Sequence, residues 1–303
     1  MNTHHNTHGY IGHERASGFD IAMAQLLELD AEVLAPYLAE LTGWLADLTH
    51  PAPARILDLG SGPGTGSLAL AHRFGSAQVT AVDISPQMLH RLHKQAAAQG
   101  DTGRISTLEA NLDEPWAEIG EGGPYDLIWA AAFLHHVADP ARTLAQAFEH
   151  VRPGGLLAVT EMDFFPGFLP EDIGIGRPGL EARLHAATNT QPPHEWTGEL
   201  TDAGFTLEER RPFDIRLDRA QAGPDLNDYA QTCLAKLLSH ATDALDADDL
   251  DALDALLDET QPHSIARRDD LTVRTTRTTW IARGPGASAA PVRPRRPPHR
   301  RSL

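Results

Sequence analysis

The chain has 303 residues, of which 41% are hydrophobic, and its formal net charge is −17 at pH 7. The part before residue 284 holds 20 basic and 42 acidic side chains, a net charge of −22 that would repel nucleic-acid phosphates. No apolar run reaches the roughly 20 residues of a membrane-spanning helix, and the polar start of the chain lacks the apolar core of a secretory signal. We therefore expect a cytoplasmic globular protein that binds neither nucleic acid nor a membrane.

Cysteine and histidine usage bears on metal binding. The single cysteine, Cys233, excludes an internal disulfide and a cysteine-based metal site, and we interpret it as a small packing residue in a helix. His4, His5, His8 and His13 lie in a polar lead without regular spacing. We predict a solvated lead there and no metal site.

Strand and helix patterns alternate up to residue 161, after a lead over residues 1–13 that we expect to be flexible. Short apolar runs predict strands, and apolar residues at helical spacing predict helices. The helices are predicted over 31–48, 67–74, 86–99 and 140–151, and the strands over 56–59, 78–82, 104–109, 126–131 and 155–161. This alternation predicts a Rossmann-like α/β fold, a doubly wound and mostly parallel sheet with helices on both faces.

The pattern changes after Glu161. A loop is predicted over 164–179, helices over 180–187, 195–203, 226–245 and 248–259, an extended stretch ending near 217, and a closing antiparallel strand over 274–282. We expect one domain over 14–283, with a core at about 30–165 and a helical insertion or lid at about 166–260. The tail over 284–303 is basic and rich in proline, and we expect it to be disordered.

The most informative segment is a glycine-rich turn that follows the first strand. Gly60, Gly62 and Gly64 lie where open α/β sheets bind ligands, at the carboxyl end of a strand. A dinucleotide site would need a glycine at the sixth position of the motif, and neither register supplies one. Asp58 would repel a diphosphate but would suit an ammonium or sulfonium group. These features favour S-adenosylmethionine over a dinucleotide.

The motif Asp58-x-Gly60-Ser61-Gly62-x-Gly64 resembles the first motif of the class I S-adenosylmethionine-dependent methyltransferases. Further segments at 79–85, 108–113, 125–137 and 151–157 resemble the later motifs of that family in the right order. Within the family, the chain resembles the small-molecule subgroup of ubiquinone- and menaquinone-methyltransferase-like enzymes. The family implies methyl transfer to a small-molecule acceptor, with S-adenosylhomocysteine as the second product.

The resemblance also implies which residues hold the cofactor. Asp83 matches the acid that binds the ribose hydroxyls, and Ile84 and Met88 would flank the adenine. The segment containing Asn111 and Leu112 matches the adenine-amino site. The family often has an aspartate at position 111, so Asp113 is kept as an alternative there.

The segment after the fourth strand is expected to line the acceptor site. Phe133, His135 and His136 follow that strand, and Glu161 ends the fifth. His135 is the first candidate for a general base or for a donor that orients the acceptor. Glu161 is the second candidate. The alternative is that both histidines only pack or bond to the backbone.

Three other functions fit parts of the sequence. A nicotinamide-dependent oxidoreductase would share the strand, the glycine turn and the strand-end acid, but it would need the third fingerprint glycine. A non-catalytic S-adenosylmethionine-binding protein would keep the same turn without turnover. A protein acceptor in place of a small molecule is the third alternative. The motifs set neither the acceptor atom nor the oligomeric state.

Overall fold

The computed structural model describes residues 8–188, 192–241 and 244–286, with side chains from Ile21 onward. The strands of this part are β1 (Arg55–Leu59), β2 (Gln78–Asp83), β3 (Ile105–Glu109), β4 (Tyr125–Ala131), β5 (Val151–Met162), β6 (Thr206–Leu217) and β7 (Val273–Arg283). Its helices are α1 (His8–Val33), α2 (Ala35–Leu48), α3 (Thr65–Arg73), α4 (Pro86–Gln99), α5 (Ala117–Gly122), α6 (Pro140–His150), α7 (Leu180–Thr188), α8 (Thr197–Asp202), α9 (Arg219–Ala222), α10 (Leu226–Ala241) and α11 (Ala247–Leu257). No helix in these ranges is long and apolar enough to cross a bilayer.

The strands form one sheet in the order β3-β2-β1-β4-β5-β7-β6. The pairs among β1 to β5 are parallel, and β7 runs antiparallel to both of its neighbours. The chain moves outward from β1 to β3 and then returns to place β4 on the other side of β1. This reversal is the topological switch point at which open α/β sheets bind ligands. The predicted fold class is confirmed.

Local sequence explains where the central helices begin. Ser85 caps α4, its Oγ accepting a bond from Met88 N at 3.3 Å, and Pro86 occupies the first turn. Asp139 caps α6 in the same way, accepting from Arg142 N at 3.1 Å. Both helices therefore start directly after a strand-to-helix loop at the carboxyl edge of the sheet.

The sheet is covered on both faces by separate apolar clusters. On β1, Ile56 joins the cluster under α1, α2 and α3, whereas Leu57 joins the cluster that includes α6 and α8. Successive side chains of a strand point to opposite faces of the sheet, so the two faces of β1 belong to different apolar cores. The glycine turn that follows β1 is thereby held at a fixed height above the sheet edge.

The structure differs from the sequence-based expectations at two places. Helix α1 begins at His8, inside the lead over residues 1–13 that was expected to be flexible, and three glycines in the first half of this helix (Gly9, Gly12, Gly18) weaken the helix signal. The extended stretch predicted to end near 217 is β6, which pairs with β7 at the edge of the sheet, so the range 166–260 is not helical throughout. Residues 1–7 of the lead and residues 287–303 of the tail lie outside the described residues.

Candidate functional site

The glycine turn, Gly60–Gly64, connects β1 to α3. Gly60, Gly62 and Gly64 have φ angles of 64°, 52° and 102°, in the region that favours glycine. A Cβ atom added to Gly60 would lie 2.2 Å from the ring of Phe133. The backbone therefore requires glycine here, and Phe133 lies directly against the turn.

Asp83, at the end of β2, fastens the glycine turn to the neighbouring strand. Its Oδ2 accepts a hydrogen bond from Gly62 N at 2.8 Å, and its Oδ1 accepts one from Ser85 N at 2.8 Å. A carboxylate oxygen can accept more than one bond, so the half-buried side chain keeps acceptor capacity. The structure brings the glycine turn and the strand-end acid into direct contact.

Asp58 lies beneath the glycine turn, on the face of β1 covered by α3. Its side chain is 2% exposed, and Oδ2 accepts a bond from Ser67 Oγ at 2.6 Å. Burial raises the pKa of Asp58 to about 7, and the negative charge of Asp83 adds to the increase. The structure thus differs from the expectation of an ionised carboxylate facing the ligand, because position 58 points into the core.

The raised pKa of Asp58 predicts a pH-dependent stability. The unfolded chain ionises this carboxyl near its ordinary pKa of 3.8, whereas the folded chain does so near 7. Between these values the folded state binds more protons, so the free energy of unfolding falls as pH rises through the window. For Asp58→Asn we expect this contribution to vanish. From about pH 5 to about pH 7, wild type should lose about 2 kcal/mol relative to the variant in urea unfolding. Equal slopes in the two proteins would contradict the assignment.

The predicted adenine-flanking residues occupy the edge between β2 and β3. Ile84 is 64% exposed, a high value for a large apolar side chain, whereas Met88 and Leu112 are buried. An exposed apolar residue directly after Asp83 could cover one face of a planar ring. Met88 and Leu112 instead contribute to the packing behind that edge.

Asn111 and Asp113 differ in what their side chains already bind. Asn111 is exposed, and its Oδ1 accepts a bond from Asp113 N at 3.1 Å. Asp113 Oδ1 accepts from Ala138 N at 2.8 Å, which ties the loop after β3 to the loop after β4. Of the two alternatives, Asn111 is therefore the more accessible to an adenine amino group.

The histidine turn, Leu134–His136, follows β4 and is held by Glu161 at the end of β5. Glu161 Oε1 accepts bonds from Phe133 N at 3.1 Å and Leu134 N at 2.8 Å. Its Oε2 lies 2.7 Å from His135 Nδ1. One buried carboxylate thus fixes both the backbone of the turn and the ring of His135.

Two further features of the histidine turn were not predicted from the sequence. Ala132 has a φ of 50°, a strained conformation for a residue with a Cβ, and its N–H bonds to Thr160 O at 2.8 Å. Partial burial lowers the pKa of His136, and the charges of His135 and Lys236 lower it further. Lys236 therefore lies close enough to the histidine turn for its positive charge to disfavour protonation of His136.

Sequence comparison identifies the family. A family model described as a methyltransferase domain matches residues 56–155. The ubiquinone biosynthesis O-methyltransferase of Xylella fastidiosa (strain M23) is 30% identical over 200 residues, which cover 63% of this chain and 77% of that protein. The chain belongs to the class I S-adenosylmethionine-dependent methyltransferases.

Other similar proteins carry different acceptor names. The trans-aconitate 2-methyltransferase of Azoarcus sp. (strain BH72) is 38% identical over 106 residues, 35% of this chain and 38% of that one. The chain covers only 38% to 62% of the lengths of the first four curated relatives. A solved structure of a candidate methyltransferase from Bacillus halodurans C-125 is similar in fold, with a TM-score of 0.50, 14% identity, and coverage of 80% of this chain and 98% of that one.

Helix α1 lies across the glycine turn of this methyltransferase. A Cβ added to Gly62 would lie 3.5 Å from Leu27 Cδ1. Glu28 on α1 pairs with Arg91 on α4 at 3.0 Å. The sequence analysis did not predict this part of α1 or its contacts, which require the helix to pack over the sheet edge.

Helix α1 is also joined to α10 and β7 of the methyltransferase. Asp30 Oδ1 accepts a bond from the Tyr229 hydroxyl at 2.6 Å and pairs with Arg277. Seven residues earlier on α1, Met23 Sδ lies 3.6 Å from Lys236 Nζ, seven residues later on α10. The two helices therefore run antiparallel, and Lys236 extends toward the histidine turn.

The residues at this edge fit the nucleoside of S-adenosylmethionine. Ser61 Oγ, in the glycine turn, is buried without a hydrogen-bond partner among the described residues, Asp83 has spare acceptor capacity, and Ile84 is an exposed apolar surface. An adenosyl group offers hydroxyls and a flat ring to such a set. Within the described ranges, no group of three or more histidine, cysteine or acidic side chains is placed to hold a metal ion.

Proposed function

We propose that this chain transfers the methyl group of S-adenosylmethionine to a small-molecule acceptor held beside the histidine turn. The observation that carries the proposal is the bond between Asp83 and Gly62, which joins the two cofactor motifs at the switch point of the sheet. Family membership supports the cofactor assignment. The names of two similar proteins, which specify ubiquinone biosynthesis and trans-aconitate, support a small acceptor.

The roles of the residues follow from their positions. The glycine turn and Asp83 would hold the ribose and the amino-acid part, and Ile84 with Asn111 would face the adenine. When bound, S-adenosylmethionine supplies a methyl group on a sulfonium sulfur, which is already a good leaving group. The protein then has to align the acceptor and exclude water, and positioning can supply most of the acceleration. Helix α1, which contacts Gly62 through Leu27, would shield this site from solvent.

Binding of S-adenosylhomocysteine tests the cofactor assignment. We expect Asp83→Asn to weaken binding about tenfold or more, because the new amide group would face one of two N–H donors and leave it unpaired. Isothermal titration calorimetry of wild type and variant measures this loss. The matched control is Glu109→Gln, an exposed acid at the register position next to Asp83 on β3, which should bind as wild type does.

The same samples distinguish the rival functions. A thermal shift with S-adenosylhomocysteine but not with NAD(H) is expected. A selective shift with NAD(H) would replace the methyltransferase proposal by an oxidoreductase. Tight S-adenosylhomocysteine binding without methyl transfer to any small molecule or protein would indicate that the protein binds S-adenosylmethionine without catalysing methyl transfer.

A further inference from the structure

The hydrogen bonds of Glu161 determine which nitrogen of His135 carries a proton. An ionised carboxylate can only accept hydrogen bonds, so the 2.7 Å contact to Oε2 requires a proton on Nδ1 of His135. In the neutral imidazole, Nε2 then carries the lone pair. Glu161 itself is 7% exposed and is fixed by the N–H groups of Phe133 and Leu134. The carboxylate is therefore rigidly placed behind the ring.

The His135 side chain is only partly covered by the protein. The His135 side chain is 46% exposed, in contrast to the 9% of the Glu161 side chain behind it. The residue two positions earlier, Phe133, places its ring over Gly60. The histidine turn thus borders the glycine turn directly, and Ala132 holds the junction in a left-handed conformation. A ligand above the glycine turn would have the histidine turn as its neighbour.

We infer that His135 is the general base of the methyl transfer, that Glu161 is its positioning residue, and that the reacting group of the acceptor is a hydroxyl. This inference rests on the proposed function. In the step, the acceptor oxygen forms a bond to the methyl carbon while the carbon–sulfur bond breaks and leaves a neutral thioether. The hydroxyl proton passes to Nε2 of His135 and then to solvent. A base oriented in this way serves an acceptor that must lose a proton, such as a phenol or an enol.

The groups around His135 and Glu161 are compatible with a general-base role for His135. His135 contacts the ring of His136 at a centroid distance of 3.9 Å, and Lys236 on α10 faces the same turn. Partial burial and the charges of His135 and Lys236 lower the pKa of His136, and the charge of Glu161 opposes that shift. Glu161 supplies the compensating negative charge after proton transfer.

The tautomer of His135 can be tested without any acceptor. Long-range ¹H–¹⁵N NMR of the full chain should show His135 protonated on Nδ1 and unprotonated on Nε2. In Glu161→Gln the amide can still accept from the backbone N–H groups, but its NH₂ group would face Nδ1. We expect the ring to change to the Nε2–H form, which has no lone pair toward the acceptor. A purely structural role of Glu161 would leave the tautomer unchanged.

The acceptor class is tested by turnover. We expect S-adenosylhomocysteine to form with phenols and catechols and to form much less with the matched anilines. Glu161→Gln and His135→Asn should each lower kcat about a hundredfold or more, with little change in the affinity for S-adenosylhomocysteine. A nitrophenol that is already ionised at neutral pH should be much less affected. His93→Asn, an exposed histidine on α4, is the control and should keep wild-type kcat.

The outcomes separate this inference from the function on which it rests. An Nε2–H tautomer in wild type, turnover of anilines alone, or wild-type kcat in Glu161→Gln would overturn the base assignment while leaving a methyltransferase. Cofactor binding without turnover of any hydroxyl acceptor would also count against it. Failure to bind S-adenosylhomocysteine would instead refute the proposed function.

Discussion

Replacing Gly64 by alanine is expected to lower the free energy of unfolding by about 3 kcal/mol. Gly64 is the N-cap residue of α3 and has a φ of 102°, a conformation that strains any residue with a Cβ. The added Cβ would also lie 2.1 Å from Leu92 Cδ1 and 3.0 Å from Leu92 Cβ. Since Leu92 is fully buried on α4, it has little room to move. The backbone strain and the clash with Leu92 both lower the free energy of unfolding.

A matched glycine separates the two terms of this loss. Gly100, which ends α4, has a φ of 81°, and a Cβ there would have open space around it. Gly100→Ala should therefore show only the backbone term, about 1 kcal/mol. Urea unfolding at one pH measures both variants. Similar losses in the two variants would show that packing against Leu92 contributes nothing. Gly64→Ala should also weaken S-adenosylhomocysteine binding, because the strain falls on the glycine turn.

Replacing Arg277 by methionine is expected to cost about 3 kcal/mol of unfolding free energy, because it leaves a largely buried carboxylate uncompensated. The Arg277 and Asp30 side chains are 16% and 20% exposed. The Arg277 guanidinium also lies 5.4 Å from the centre of the Tyr37 ring. Since Asp30 belongs to α1, the variant should loosen the helix that covers Gly62 and weaken S-adenosylhomocysteine binding as well.

Two companion variants test the cause of the Arg277 effect. Arg216→Met breaks the exposed pair with Asp214, whose side chains are 73% and 62% exposed, and should cost less than about 1 kcal/mol. Arg277→Met combined with Asp30→Asn should recover part of the loss, because the unpaired charge is removed while Tyr229 keeps an acceptor. Denaturant unfolding reports both. A double variant no more stable than Arg277→Met alone would assign the loss to packing instead of charge.

Sequence patterns predicted the central sheet and the placement of the cofactor motifs. The bounds of β1 to β4 lie within one residue of the predicted strands. The signal is strongest for β4, since a strand covered on both faces is apolar along most of its length. The position of Asp83 relative to Gly64 follows from one helix and one strand of ordinary length. Because these features depend on residues close together in the chain, local periodicity and turn chemistry were sufficient to locate them.

The expectations for Asp58 and α1 were incomplete for a different reason. The sequence placed Asp58 next to the glycine turn, but the direction of its side chain depends on the pleat of β1 and on Ser67 lying above it. The contact of Leu27 with Gly62 depends on the packing of α1 across the sheet edge. The raised pKa of Asp58 could not be predicted from the spacing of the residues, because it results from burial, and burial depends on which elements cover a residue.

The sequence by itself determined the fold class, the glycine turn, the strand-end acid and the two candidate residues His135 and Glu161. Only the tertiary structure paired those two side chains, which are 26 positions apart and meet because β4 and β5 are neighbouring parallel strands. It also joined Arg277 to Asp30 over 247 positions. Such contacts are set by the order of strands in the sheet and by the helix that covers each face, and neither is encoded in the local pattern of apolar residues.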